Sequence, residues 1–147
     1  MQISSRFTIA VHVLTCIDTF KNEKVTSEFL ASSVQVNPVI IRKILSQLKA
    51  ADIIKVQRGS GGSTIIKPLN KITFYDIYEA VECINNDELF HFHENPNPDC
   101  PVGRNIHHAL DDKLQQVQSA LENELKQITL QDVINDTQKY IKLEKVQ

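Results

Sequence analysis

The 147-residue chain is short of the residues that mark several whole classes of protein. Its three cysteines, Cys16, Cys83 and Cys100, stand at wide and unequal spacings. That set is neither a disulfide framework nor a paired-cysteine zinc site. No segment approaches the ~18 consecutive apolar residues of a membrane span. The first residues lack the basic-then-apolar order of a secretion signal, so a cytoplasmic protein with no membrane partner is expected. Glycine is scarce: Gly59, Gly61 and Gly62 share one turn, and the fourth is Gly103. The chain has neither a Walker Lys-Ser/Thr nor a GxGxxG after a strand, which argues against a nucleotide-binding loop.

What is present is sorted by charge. Residues 1–71 hold ten Lys/Arg against four Asp/Glu, and the other 76 hold six against fourteen, so +6 and −8 combine to the net −2. A basic half joined to an acidic half hints that the first half meets a polyanion.

The first half then reads as helices. Ser4 or Ser5 can cap a helix running to about Phe20, with Phe7, Ala10, Val11, Leu14 and Ile17 at helical spacing. Ile9, Val13, Cys16 and Phe20 form a second apolar row, so this helix is expected to be buried on two sides, for instance by its own domain and a second subunit. Thr26 or Ser27 caps a short helix with Glu28 in its first turn, where the helix dipole favours an acid. Asn37-Pro38 starts another, because Asn caps well and Pro suits the first helical position. Ile41, Ile44, Leu45 and Leu48 take one face of it, and Val39, Arg42, Lys43, Ser46 and Gln47 the other. Two short helices joined by a tight turn, the second exposing such residues, form either a helix-turn-helix or an ordinary helical hairpin.

The next stretch favours the first reading. IIKVQRGSGGSTIIKPL reads as strand, glycine-rich turn and strand, and a hairpin directly after a helix-turn-helix is a winged helix. Its tip, with Arg58, Ser60, Ser63 and Thr64, suits a phosphate backbone or a minor groove. The expected fold is therefore mainly α with a small β-hairpin: a winged helix-turn-helix DNA-binding domain over residues 1–71, then a helical dimerisation and sensing region over 72–147.

In that second region a helix starts at Thr73 with Asp76 placed for a capping box. A long helix is expected from about Gly103 to Ile128. Ile106, Leu110, Leu114, Val117, Leu121, Leu125 and Ile128 are spaced 4, 4, 3, 4, 4, 3, a single stripe on a nearly straight helix. The stripe from Ile106 to Leu125 is the expected dimer interface, with some packing against the first helix. Thr129 caps a last amphipathic segment.

The winged helix, the wing sequence RGSGGSTI, the KITFYDIYEAVE segment after it, the cysteine-bearing loop, the long helix and the closing ITLQDVI together resemble the Rrf-two family of bacterial winged-helix transcriptional regulators. The resemblance covers nearly the whole chain. It implies a homodimeric DNA-binding regulator, a repressor of transcription, that recognises a palindromic double-stranded operator and is not an enzyme. By position it implies DNA contacts from Thr26 and Ser27, from Asn37, Val39, Ile40, Arg42, Lys43 and Gln47 of the recognition helix, and from Arg58, Gly59, Ser60, Gly61, Gly62 and Ser63 of the wing. Cluster-binding members carry three close cysteines before the long helix, whereas here that loop has Cys100 alone. One thiolate cannot hold an iron–sulfur cluster, so a cluster-free branch with no cofactor is expected.

Cys100 keeps three readings: structural, redox-sensing, or one ligand of a metal. A helix N-terminus just after it and Arg104 one turn on favour a thiolate, while Asp99 opposes it. His91, His93, His107 and His108 lie close in sequence, but adjacent His107 and His108 diverge by about 100° on a helix. No metal or catalytic site is assigned. The alternative function is a thiol- or metal-handling protein using Cys100 with these histidines, for which the sequence offers no oxyanion loop or third orienting group.

Overall fold

The computed structural model describes residues 4–59, 61–82, 90 and 93–146. Ser4 caps α1 (Ser5–Thr19) by accepting the Arg6 N–H at 3.0 Å. Thr26 caps α2 (Ser27–Val34), its hydroxyl accepting the Phe29 N–H at 3.1 Å. Gln35, in the left-handed region at φ 62°, stops α2. Asn37 Oδ1 then accepts the Val39 N–H at 2.9 Å and Pro38 opens α3 (Pro38–Ala50). These caps satisfy helix-end amides that would otherwise lack a partner.

α3 buries Ile41, Ile44, Leu45 and Leu48, as their spacing predicts, each worth roughly 1.5–3 kcal/mol of burial. β1 (Ile54–Val56) and β2 (Ser63–Ile65) form the antiparallel wing, with Ile54 opposite Ile65 and Val56 opposite Ser63. The wing is tied to the rest of the motif by Ser63 N–H, which donates to Val25 O at 3.2 Å. Gly62 makes that approach workable. Its φ is +78°, and a Cβ there would lie 2.9 Å from Val25 O.

After a 3-10 turn (Leu69–Lys71), α4 (Phe74–Glu82) begins on the predicted capping box. Asp76 accepts the Thr73 N–H at 3.0 Å and Thr73 Oγ1 accepts the Asp76 N–H at 3.1 Å. α5 (Pro101–Leu125) and α6 (Leu130–Glu144) complete the chain, and α6 has a second such box between Thr129 and Asp132.

One expectation shifts. α5 spans Pro101–Leu125 rather than 103–128. It starts early because Pro101 fits the first helical position. It stops early because Ile128 is drawn into an isolated bridge between Thr73 and Thr129, accepting the Phe74 N–H at 2.9 Å. In α1, Ala10, Val13, Leu14, Cys16 and Ile17 are buried against α2, α3, α4 and α6, while Phe7, Ile9 and Val11 are half-buried and Phe20 is exposed. The core also crosses residue 71, since Ile77, Val81, Leu130 and Ile134 join the same cluster as Leu30, Ile41 and Leu48.

α5 stands apart. Gln118 is its one buried residue, and its principal contact is with α4 rather than α1. Ile106, Leu110, Leu114, Leu121 and Leu125 are partly buried, and Val117 is 50% exposed.

Candidate nucleic-acid interface

The inward row of α3 fixes where its outward row goes. With Ile41, Ile44 and Leu48 in the core, Val39, Ile40, Arg42, Lys43 and Ser46 are turned to solvent. Gln47 is half-buried at the margin of that face. Because Ser63 is bonded to Val25, the turn end of the wing lies beside the start of α2.

The result is an open cleft of about 550 Å³ bounded by three elements. Thr26, Ser27 and Glu28 come from α2, Arg42, Ser46 and Lys49 from α3, and Gln57, Gly59, Gly62 and Ser63 from the wing. Val25, Leu45 and Val56 supply its apolar lining. Of the expected contacts, Thr26, Ser27, Arg42, Gly59, Gly62 and Ser63 therefore meet around one cleft. Asn37, Val39, Ile40 and Lys43 lie on α3 outside it, Arg58 is exposed, and Ser60 is outside the described residues. Asn37 uses its Oδ1 as the α3 cap.

Chemically this face can bind a polyanion along its length. Arg42, Lys43, Lys49 and Arg58 supply cations, while hydroxyls and the start of α2 supply hydrogen-bond donors. Lys49 and Gln57 were not anticipated as lining this face. Lys49 could have been, since it follows Arg42 by seven residues and Ser46 by three, the spacing of one helical face. Glu28 does more than favour the dipole of α2. Its Oε1 also lies 3.9 Å from Arg42 Nη1, and its Oε2 accepts the Ser27 hydroxyl at 3.2 Å.

Cys100 lies outside this face, on the loop before α5. It is the exposed N-cap residue of α5. The backbone N–H of Gly103, and then that of Val102, hold its thiol below the ordinary value. These amides favour the thiolate without a full side-chain capping bond. The preceding loop is shaped against the helix: Asn97 Oδ1 accepts the Asp99 N–H at 2.9 Å, and Arg104 Nη1 donates to Pro98 O at 3.1 Å. A Cβ at Gly103 would collide with Asn97 O. The His93 and His107 rings are 5.5 Å apart, and His107 Nδ1 lies 3.3 Å from Asp111 Oδ1. His108 is exposed on α5. Among the described residues no group of three or more His, Cys, Asp or Glu is arranged to hold a metal ion. Cys83 and His91 lie outside the described residues.

Fold and face together define a winged-helix DNA-binding protein. A family model described as "Rrf2: Iron-dependent Transcriptional regulator" matches residues 3–136, and the chain belongs to this family of transcriptional regulators. It is 44% identical over 133 residues to YwnA of Bacillus subtilis (strain 168), named as an HTH-type transcriptional regulator, covering 90% of this chain and 97% of that one. A crystal structure described as a DNA-binding protein is 38% identical with a TM-score of 0.72, covering 88% of this chain and 99% of that chain. A transcriptional regulator from Lactobacillus plantarum is 25% identical with a TM-score of 0.78, covering 97% and 98%. The chain is thus a DNA-binding regulator and not an enzyme. No described helix is long and apolar enough to cross a membrane.

The family description names iron, and the chain's thiols do not fit an all-cysteine iron–sulfur cluster. Such a cluster takes four thiolates. The sequence has three, and Cys16 is buried in the core with its Sγ 3.3 Å from Ser33 Oγ.

Proposed function

We propose that this regulator is a cytoplasmic homodimer that represses transcription by binding a palindromic operator without an iron–sulfur cluster. The observation that carries the reading is the single face on which the α2 N-terminus, the outward row of α3 and the wing converge. On this reading α3 enters the major groove, where Arg42 and Gln47 meet base edges and Lys43 a phosphate. Thr26, Ser27 and Asn37 bind backbone, Val39 and Ile40 pack on base or sugar edges, and Arg58 through Ser63 reach the neighbouring minor groove.

The half-exposed stripe of α5 supports the dimer. Ile106, Leu110, Leu114, Val117, Leu121 and Leu125 gain full burial when two α5 helices pair, which sets the distance between two recognition helices. A two-fold dimer then reads two half-sites about one DNA turn, roughly 34–36 Å, apart or a multiple of it. Cys100, an exposed thiol with a favoured thiolate at the root of α5, suits a redox signal: its modification alters how α5 leaves the DNA-reading head.

Operator selection from random duplexes, with and without oxidant, tests the reading. A palindromic consensus whose binding weakens on oxidation in wild type, and not in Cys100→Ser, is expected. Enrichment of no palindrome overturns the operator reading, and oxidant-insensitive wild-type binding overturns the redox part.

A further inference from the structure

One side chain on the DNA-reading face has the wrong charge for it. Among the residues bounding the cleft, Glu28 is the single acid, set among Arg42, Lys49 and the hydroxyls of Ser27 and Ser46. A carboxylate beside a phosphate backbone weakens association by like-charge repulsion. Stability gives little reason to keep it there. Glu28 and Arg42 are 73% and 54% exposed at the side chain, and exposed ion pairs contribute little. The helix dipole welcomes an acid in the first turn of α2, but any acid on any side of that turn would serve.

What distinguishes Glu28 is its two partners. Oε1 faces Arg42 Nη1 at 3.9 Å, and Oε2 accepts the Ser27 hydroxyl at 3.2 Å. One carboxylate therefore stands between the start of the first motif helix and the guanidinium on the recognition helix, at ion-pair distance from the latter. An unrestrained arginine on such a face can swing to whichever phosphate is nearest, which carries no sequence information. A guanidinium held from one side keeps its other N–H groups aimed outward, in the fixed fork that matches the edge of a guanine.

We propose that Glu28 is a specificity-determining residue of this regulator. It positions Arg42 for base readout and, by its charge, weakens binding to duplexes in which Arg42 finds no base partner. The inference rests on the operator-binding reading, since it needs a preferred sequence to discriminate.

The test measures affinity of the full-length protein for its selected operator and for a scrambled duplex, over a series of salt concentrations. The variants are Glu28→Gln, Glu28→Asp, Arg42→Ala and the double variant Glu28→Gln/Arg42→Ala. Glu28→Gln should lower the operator-to-scrambled ratio by about tenfold, the order of one bidentate base contact. It should also strengthen scrambled binding and steepen its salt dependence by about one unit, as Arg42 moves to phosphate. Glu28→Asp keeps the charge at the helix start but shortens the reach. It should lower the ratio too, without the steeper salt dependence, an outcome that a purely dipole role does not produce. In the Arg42→Ala background, Glu28→Gln should leave the ratio unchanged. An unchanged ratio in both Glu28 single variants of a discriminating wild type overturns this proposal alone. A wild type that binds every duplex alike overturns it together with the operator reading.

Discussion

Thr73 and Thr129 face each other across a single antiparallel bridge, with the Leu130 N–H donating to Ile72 O at 2.8 Å and the Phe74 N–H to Ile128 O at 2.9 Å. Each is also the capping residue of its helix, α4 or α6. The starts of α4 and α6 are thus held side by side, although α5 intervenes between them in the chain. Lys126 Nζ lies 4.6 Å from the Tyr75 ring centre and reinforces the same join.

It follows that the DNA-reading head needs the C-terminal helix. Leu130 and Ile134 are fully buried with Leu14, Ile41 and Ile77. Leu130→Ala should cost about 2–5 kcal/mol in urea unfolding, with one transition retained. A fragment ending at residue 71 should show no cooperative transition, because Ile77, Val81, Leu130 and Ile134 are missing from its core. A fragment that melts as sharply as the full chain contradicts this.

The α5 stripe gives a separable prediction. Leu114 and Leu121 are only partly buried in one chain, so Leu114→Glu with Leu121→Glu should leave the head folded. Sedimentation should show loss of the dimer, and affinity for a two-half-site operator should fall by more than tenfold as the two heads bind independently. A dimer that survives both substitutions places the interface elsewhere.

Cys100 should alkylate as a thiolate at lower pH than an ordinary cysteine, because the Gly103 and then the Val102 amide lower its pKa. The sign is fixed: a lowered pKa raises the reactive fraction at any pH below the ordinary value. Gly103→Ala should push the loop off the helix start, since the new Cβ meets Asn97 O, and move the alkylation midpoint upward. Following the rate against pH in a Cys83→Ser background, with Cys16 buried, isolates the signal from Cys100.

Gly62→Ala in the wing should be harmful for two reasons that act together. Its φ of +78° strains any residue with a Cβ, and that Cβ would lie 2.9 Å from Val25 O. A loss of about 1 kcal/mol or more of stability is expected. Operator affinity should fall further than that of an Arg58→Lys variant, because the whole wing shifts against α2. Thermal melting and duplex titration check the two effects separately.

The parts readable in the sequence were those set by neighbours. Asn37-Pro38, the Thr73/Asp76 pair and the RGSGG turn each carry their geometry within a few residues, so two motif helices, the α4 start and the wing were all visible. The Thr73–Thr129 bridge was not, because it joins segments far apart in the chain, and with it went the true end of α5. From its neighbours alone Glu28 is a first-turn acid of α2. Its approach to Arg42 depends on the crossing of two helices, which spacing along one helix does not report.

The face formed by α3 and the wing is the proposed DNA-binding surface. The most direct measurement is fluorescence anisotropy of a labelled duplex carrying the selected operator, titrated with wild type, Arg42→Ala and Arg58→Ala over a range of salt. Tight wild-type binding that weakens steeply with salt is expected, with each variant losing about 1–3 kcal/mol while its melting temperature and dimer mass stay those of wild type. Wild-type affinity retained in both variants contradicts the assignment of this face to DNA.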